Sequence, residues 1–227
     1  MASHDFGTEW NNTLLGACAL GNRDRVISLL YDGFNLENSL PNGMRALHLA
    51  AAEGHTNIIT ILLDIGANIE AQTVTGATPL HFAALQGRWE VGRLLLERGA
   101  SIHASDNRRM TALHHAVVGG DLETIRGLLG NGAASEALNE DGLTALGCAV
   151  LKGNEEVVRE LVGFGVSINT RDTEGSTPLH IAAEAGMLQV VRVLVDGGAD
   201  KEAVDNRGLT PRDMVQEPCE EMMRLLC

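Results

Sequence analysis

The chain has 227 residues, and its 17 Lys and Arg against 30 Asp and Glu give a formal net charge of −13. This acidic balance disfavours binding to nucleic-acid phosphates and to anionic membrane surfaces. Hydrophobic residues make up 44% of the chain and aromatic residues only 3%, so we expect a core built mainly from Leu, Val, Ile and Ala.

Residues 1–13 are polar and do not resemble a signal peptide, and no apolar run approaches the roughly 20 residues of a membrane span. The four cysteines, Cys18, Cys148, Cys219 and Cys227, are far apart and form no CxxC pair. Reduced thiols are the expected state, which favours a cytoplasmic protein, with the nucleus as a second location. We expect Met1 to begin a complete chain.

A four-residue signature recurs at a fixed spacing of 33 residues. Thr78-Pro79-Leu80-His81 returns as Thr111-Ala112-Leu113-His114 and as Thr177-Pro178-Leu179-His180. Degenerate copies begin at Arg45, Thr144 and Thr210. Glycines follow the same period in three series, which begin at Gly43, Gly21 and Gly33. Such a regular period predicts a stacked repeat array.

Each repeat predicts a turn followed by two helices. The turn Gly precedes Thr, whose hydroxyl is suited to capping a helix, and Pro fits the first helical position. Small apolar residues such as Leu80 and Ala83 follow in the first helix. A second apolar helix ends before a Gly suited to the left-handed conformation.

The T-P-L-H-x-A signature, the glycine spacing and the 33-residue period resemble the ankyrin family over about residues 12–227. The resemblance implies an all-α solenoid of helix-turn-helix units with β-turn tips. The predicted parts are an N-terminal arm (1–11), a capping repeat (12–39), five full repeats (40–72, 73–105, 106–138, 139–171 and 172–204) and a C-terminal capping repeat (205–227). We expect a monomer.

The signature histidines His48, His81, His114 and His180 are predicted to be structural. The resemblance implies that each imidazole bonds across its turn and to the neighbouring repeat. Successive copies lie one repeat apart, too far to share a metal ion. We predict no metal site, no cofactor and no catalytic constellation.

Four departures from the repeat pattern fall at the junction of the third and fourth full repeats. They are Arg109 at a turn-glycine place, His115 at an apolar place, and Gly147 with Cys148 in the next copy. One interpretation is drift, in which Gly147 makes room for His115. The other is a small cavity that holds a ligand or a catalytic site.

The resemblance implies that partners dock on a concave groove formed by the turn tips and the exposed side of the first helices. Leu85, Val118 and Leu151 lie 33 residues apart, and Ala77, Met110 and Leu143 form a parallel row. An aligned apolar strip on an exposed surface is typical of a binding site. The predicted partner-binding residues are Val74, Ala77, Leu85, Gln86, Arg108, Met110, Val118, Leu143, Leu151 and Lys152.

The leading functional hypothesis is non-catalytic binding of a partner protein or peptide, with Glu53, Glu174 and Glu184 as an acidic rim. A second hypothesis is a proteasome-assembly chaperone of the gankyrin type, which the seven-unit layout resembles. A third is a small-molecule-binding protein or enzyme at the Arg109, His115, Gly147 and Cys148 junction.

Overall fold

The computed structural model describes residues 13–216 and 220–227. The predicted arm, residues 1–11, lies outside this part of the chain, as does Cys219. The described residues form thirteen α-helices and one 3-10 helix, without an extended sheet. The α-helices, numbered in chain order, are α1 Leu14–Ala19, α2 Arg23–Tyr31, α3 Ala46–Glu53, α4 Thr56–Asp64, α5 Pro79–Leu85, α6 Trp89–Glu97, α7 Ala112–Gly119, α8 Leu122–Gly130, α9 Ala145–Leu151, α10 Glu155–Gly163, α11 Pro178–Glu184, α12 Leu188–Asp196 and α13 Glu220–Leu225.

The helices stack in two layers, and each repeat contributes one helix to each layer. First helices pack against the first helices of adjacent repeats, as α5 does against α3 and α7. Second helices do the same, and the 3-10 helix Pro211–Met214 continues the first-helix layer beside α11. The core between the layers is continuous and consists mostly of Leu, Ala, Val and Ile. The all-α solenoid expected from the repeat is therefore confirmed.

The first helices begin as the signature predicts. Thr78 has extended backbone, with φ −92° and ψ 168°, and Pro79 occupies the first turn. Thr177 and Pro178 repeat this arrangement. Pro has no N–H to leave unpaired at that position, so the start of the helix costs little.

The tips of neighbouring turns are joined by backbone hydrogen bonds. The N–H of Asn107 donates to the carbonyl of Thr75 at 2.9 Å, and the N–H of Glu140 donates to the carbonyl of Arg108 at 2.9 Å. Similar bonds at the other turns make a ladder along the array. The turn tips therefore form one continuous edge of the molecule.

Arg109 takes the left-handed conformation that glycine takes at the equivalent place in the other turns, with φ 58°. It is the only described residue other than glycine with positive φ. A side chain in this region costs roughly 1–2 kcal/mol. The turn is therefore strained at residue 109, where arginine replaces glycine.

Trp89 is a packing residue. A Cβ atom on Gly127 would lie 2.4 Å from Cε2 of the Trp89 ring, so the indole lies directly against the backbone of α8. Gly127 therefore allows α6 and α8 to pack around the indole.

No helix among the described residues is long and apolar enough to cross a membrane.

Candidate functional site

The four signature histidines form a hydrogen-bond ladder that joins consecutive repeats. In His81, Nδ1 accepts the backbone N–H of Thr78 at 3.0 Å and lies 2.8 Å from its hydroxyl. Because Nδ1 accepts, Nε2 carries the proton and donates to a carbonyl of the next repeat. These donations run from His48 to Ala77 (3.2 Å), from His81 to Met110 (3.1 Å), from His114 to Leu143 (3.2 Å) and from His180 to Leu209 (3.0 Å). His48 also donates to the carbonyl of Ala71 in its own repeat, at 2.9 Å.

Both nitrogens of each signature ring are therefore used for structure, which confirms the structural role predicted for these residues. Burial lowers the pKa of His48 and of His114, and lowers that of His81 to about 4. The rings of His48, His81 and His114 therefore stay neutral at physiological pH. Among the described residues, no group of three His, Cys, Asp or Glu side chains is arranged to hold a metal ion.

Gly147 removes one rung of this ladder. A Cβ atom on Gly147 would lie 3.0 Å from Cδ2 of Leu143, whose side chain is only 8% exposed. The atoms nearest to that position belong to Leu143, whereas His115 contacts Asp106 and His81, so these contacts give no support to the interpretation that Gly147 makes room for His115. The turn residue Leu143 replaces the missing imidazole with apolar packing.

His115 is half-buried on the side of the second full repeat. Its Nε2 lies 3.0 Å from Oδ2 of Asp106, and its ring meets that of His81 edge to face with centroids 5.1 Å apart. The side chain of Asp106 is 8% exposed, and its Oδ1 accepts the N–H groups of Arg108 and Met110, both at 2.9 Å. Burial raises the pKa of Asp106, but the N–H of Met110 and the His115 bond outweigh it, so the net shift is downward.

In the next repeat, Asn139 and Cys148 occupy the places of Asp106 and His115. Nδ2 of Asn139 donates to Sγ of Cys148 at 3.8 Å, and Oδ1 of Asn139 accepts the N–H of Leu143. Burial raises the pKa of the Cys148 thiol to about 11. Such a thiol is protonated at neutral pH and is a poor nucleophile.

The predicted ligand junction does not exist as one site. Arg109 is exposed at a turn tip, Gly147 lies against Leu143, and Cys148 bonds Asn139. No hydrogen bond or ring contact within the described ranges joins His115 to Cys148. The four departures separate because His115 faces back towards the second full repeat and Cys148 bonds within its own turn.

The apolar strip was predicted as two rows of residues. The row of Leu85, Val118 and Leu151 is accessible, whereas the prediction is wrong for two residues of the other row. Leu151 is 61% exposed, and Leu85 and Val118 are half-buried and lie outside the continuous core. Ala77 and Leu143, in contrast, are 5% and 8% exposed. Their turn positions fold back over the first helices, where the backbone carbonyls accept from His48 and His114.

The other predicted contact residues are accessible. Val74 is 70% exposed, Gln86 and Lys152 are exposed, and Met110 is half-buried. Arg108 is exposed at a turn tip and pairs with Glu140 and, at 3.5 Å, with Asp141. We call the surface formed by Val74, Leu85, Val118 and Leu151 the groove face.

Comparison with known families decides the class of this array. The family model for ankyrin repeats, three copies to the model, matches residues 14–106, 70–136 and 113–205. The chain belongs to the ankyrin-repeat family. Among solved structures it is similar to the ankyrin repeat domain of Bcl-3, described as a unique member of the IkappaB protein family. The two are 28% identical with a TM-score of 0.83, over 94% of this chain and 96% of that one. Comparison with curated proteins finds no match.

Ankyrin repeats are typically non-enzymatic interaction modules, and this array fits that class at the coarse level. The pairing of residues 106 and 115 was missed from the sequence. Its signal was a fixed spacing of nine residues, which also relates Asn139 to Cys148. The turn place is also polar at Thr73 and Asp172, where the first helix has Phe82 and Ile181, so only the polar first-helix residue distinguishes these two repeats.

Proposed function

We propose that this protein is a cytoplasmic ankyrin scaffold or adaptor that binds a partner protein or peptide on its groove face. The observation that carries the proposal is an apolar row that keeps its register along the groove face. On the groove face, Leu151 is exposed and follows half-buried Val118 and Leu85 in line. An apolar strip in register over three repeats has no role in the core and is typical of a binding surface.

The second-helix face has a different chemistry over the central repeats. Arg93 pairs with Glu90 at 2.9 Å, and Arg126 pairs with Glu160 at 2.7 Å. Such pairs keep a surface solvated and contribute little to stability. The central part of this face is therefore less suited to apolar docking than the groove face.

The two ends of the groove face are acidic. Glu53, Glu174 and Glu184 are exposed, and among the described residues none forms an ion pair within 4 Å, although Arg207 lies near enough to Glu184 and Glu174 to interact with their charges. They favour a partner segment with an apolar centre and basic ends. The monomeric state and the gankyrin-type alternative stay predictions.

The test is a pull-down with quantitative mass spectrometry that compares the wild type with Leu151→Asp. Because Leu151 is exposed, its free energy of unfolding should change by no more than about 0.5 kcal/mol. Partners of the wild type should be lost from the variant, since a charge in a central contact costs about 2 kcal/mol or more. Glu155→Lys, which breaks only a surface pair with Arg159, is the control and should keep every partner. A folded Leu151→Asp protein that keeps them all contradicts the proposal.

A further inference from the structure

A pocket of about 200 Å³ opens on the groove face between the second and third full repeats. Its apolar wall is made by Ala77, Phe82 and Leu85. Thr75, His115 and Asp106 supply the polar side. Pockets for drug-sized molecules have volumes of about 300–1,000 Å³. This one has the scale of a single amino-acid side chain.

His115 gives the polar side of the pocket an open acceptor. A carboxylate only accepts hydrogen bonds, so His115 must donate to Asp106 through Nε2–H. In the neutral ring Nδ1 is then an acceptor, and it receives no hydrogen bond from any residue that the structure describes. Oδ1 of Asp106 already accepts two backbone N–H groups, and Oδ2 accepts from His115 with one lone pair left. A ligand therefore meets Nδ1 of His115 and this one remaining carboxylate site beside an apolar wall.

We propose that this pocket binds a tyrosine side chain of the partner protein, with the phenol hydroxyl donating to Nδ1 of His115. The inference rests on the proposed function and specifies the anchor residue of that partner. The aromatic ring would pack against Phe82 and Leu85. Aromatic pairs of this kind contribute beyond the area they bury, and tyrosine is enriched at binding hot spots.

Other side chains match the pocket less well. Phenylalanine would cover Nδ1 of His115 without giving it a donor, and burying an unpaired acceptor is costly. A lysine ammonium has three donors and an arginine guanidinium has five, whereas the side chains of His115 and Asp106 offer one ring nitrogen and one remaining carboxylate lone pair. A serine or threonine would leave the apolar wall unfilled. Tyrosine combines an aromatic ring with one hydroxyl donor.

The open acceptor on His115 is a feature of the third full repeat. The place of His115 is taken by Phe82 in the repeat before, by Cys148 in the repeat after and by Ile181 in the next. Phe82 and Ile181 carry no polar atom, and Cys148 already receives the bond from Asn139. The anchor therefore fixes the position of the partner along the groove face.

The test uses p-cresol, which is the side chain of tyrosine with a methyl group, and toluene, which lacks the hydroxyl. Each is titrated into the full chain while the methyl signals of Leu85 are followed by NMR. We expect saturable shifts with p-cresol and about fivefold weaker binding of toluene, a ratio within the range of one neutral hydrogen bond. Ile181→Leu, at the equivalent place two repeats away, should leave both affinities unchanged.

The matched variant is Asp106→Thr with His115→Phe, which reproduces the natural pair Thr73 and Phe82 of the preceding repeat. It should bind toluene and p-cresol equally. Equal affinities in the wild type, or no shift at Leu85 under saturating fragment, would overturn the inference. If the fragments fail while Leu151→Asp still loses its partners, the tyrosine anchor is wrong and the groove function stands. If Leu151→Asp keeps its partners, the groove function fails whatever the fragments do.

Discussion

Acid should lower the free energy of unfolding of this array by protonating its signature histidines. The size of the effect can be calculated for His81. The His81 ring is 1% exposed, and burial, with a smaller contribution from the nearby His115, lowers its pKa to about 4. An unfolded chain has an ordinary histidine pKa of about 6.5. Between these values the unfolded state binds more protons, so the free energy of unfolding falls as the pH falls from 6.5 towards 4. Above pH 6.5 this contribution is fully present.

The size follows from the two pKa values. Going from pH 7.5 to pH 5.0, linkage gives a loss of about 2 kcal/mol from His81 alone. The lowered pKa values of His48 and His114 act in the same direction. The assay is urea unfolding followed by circular dichroism at both pH values, for the wild type and for His81→Gln.

The variant isolates His81 from the other titrating groups. His81→Gln should be less stable at pH 7.5, because backbone groups lose their partners, but it should lose about 2 kcal/mol less than the wild type on acidification. The carboxylates and the other histidines titrate in both proteins and cancel in the comparison, apart from His115 and Asp106, which interact with His81. Equal losses in the two proteins would refute the assignment of a buried neutral ring at residue 81.

Three further substitutions test individual packing sites by urea unfolding. Gly147→His should destabilise by about 1–3 kcal/mol, because the ring meets Leu143, and adding Leu143→Ser should recover most of that loss. Arg109→Gly should stabilise the protein by about 1 kcal/mol, because glycine relieves the strain of φ 58°. Arg109→Ala keeps the strain and should not stabilise it. Equal stabilities of the two variants would contradict the strained turn. Gly127→Ala should cost about 1–3 kcal/mol against the Trp89 ring and should become neutral or stabilising in a Trp89→Leu background, where alanine's helix propensity acts alone.

The helical array could be predicted from the sequence because its signals are local and repeated. Thr78 and Pro79 set the start of a helix through capping and a fixed φ, and a Gly such as Gly99 ends one through its positive φ of 94°. Both effects act within a few residues. The 33-residue period then fixes which elements stack.

Side-chain burial at the turns could not be predicted as well from the sequence, because it depends on neighbouring elements. Ala77 and Leu143 occupy the same repeat place as half-buried Met110, yet both are buried. Leu143 fills the space left at Gly147, a contact that crosses from the turn to the helix. The hydrogen bond between His115 and Asp106, nine residues apart in the sequence, was not predicted for the same reason.

The most direct test of the groove face is site-specific photocrosslinking. A photoreactive phenylalanine replaces Leu151 on the groove face in one protein and Tyr31 in another. Tyr31 is the matched position, since it is 88% exposed but belongs to the second helix of its repeat. The proposed function predicts that Leu151 crosslinks the partner and Tyr31 does not. Crosslinking from Tyr31 alone would contradict it and would place the partner on the second-helix face.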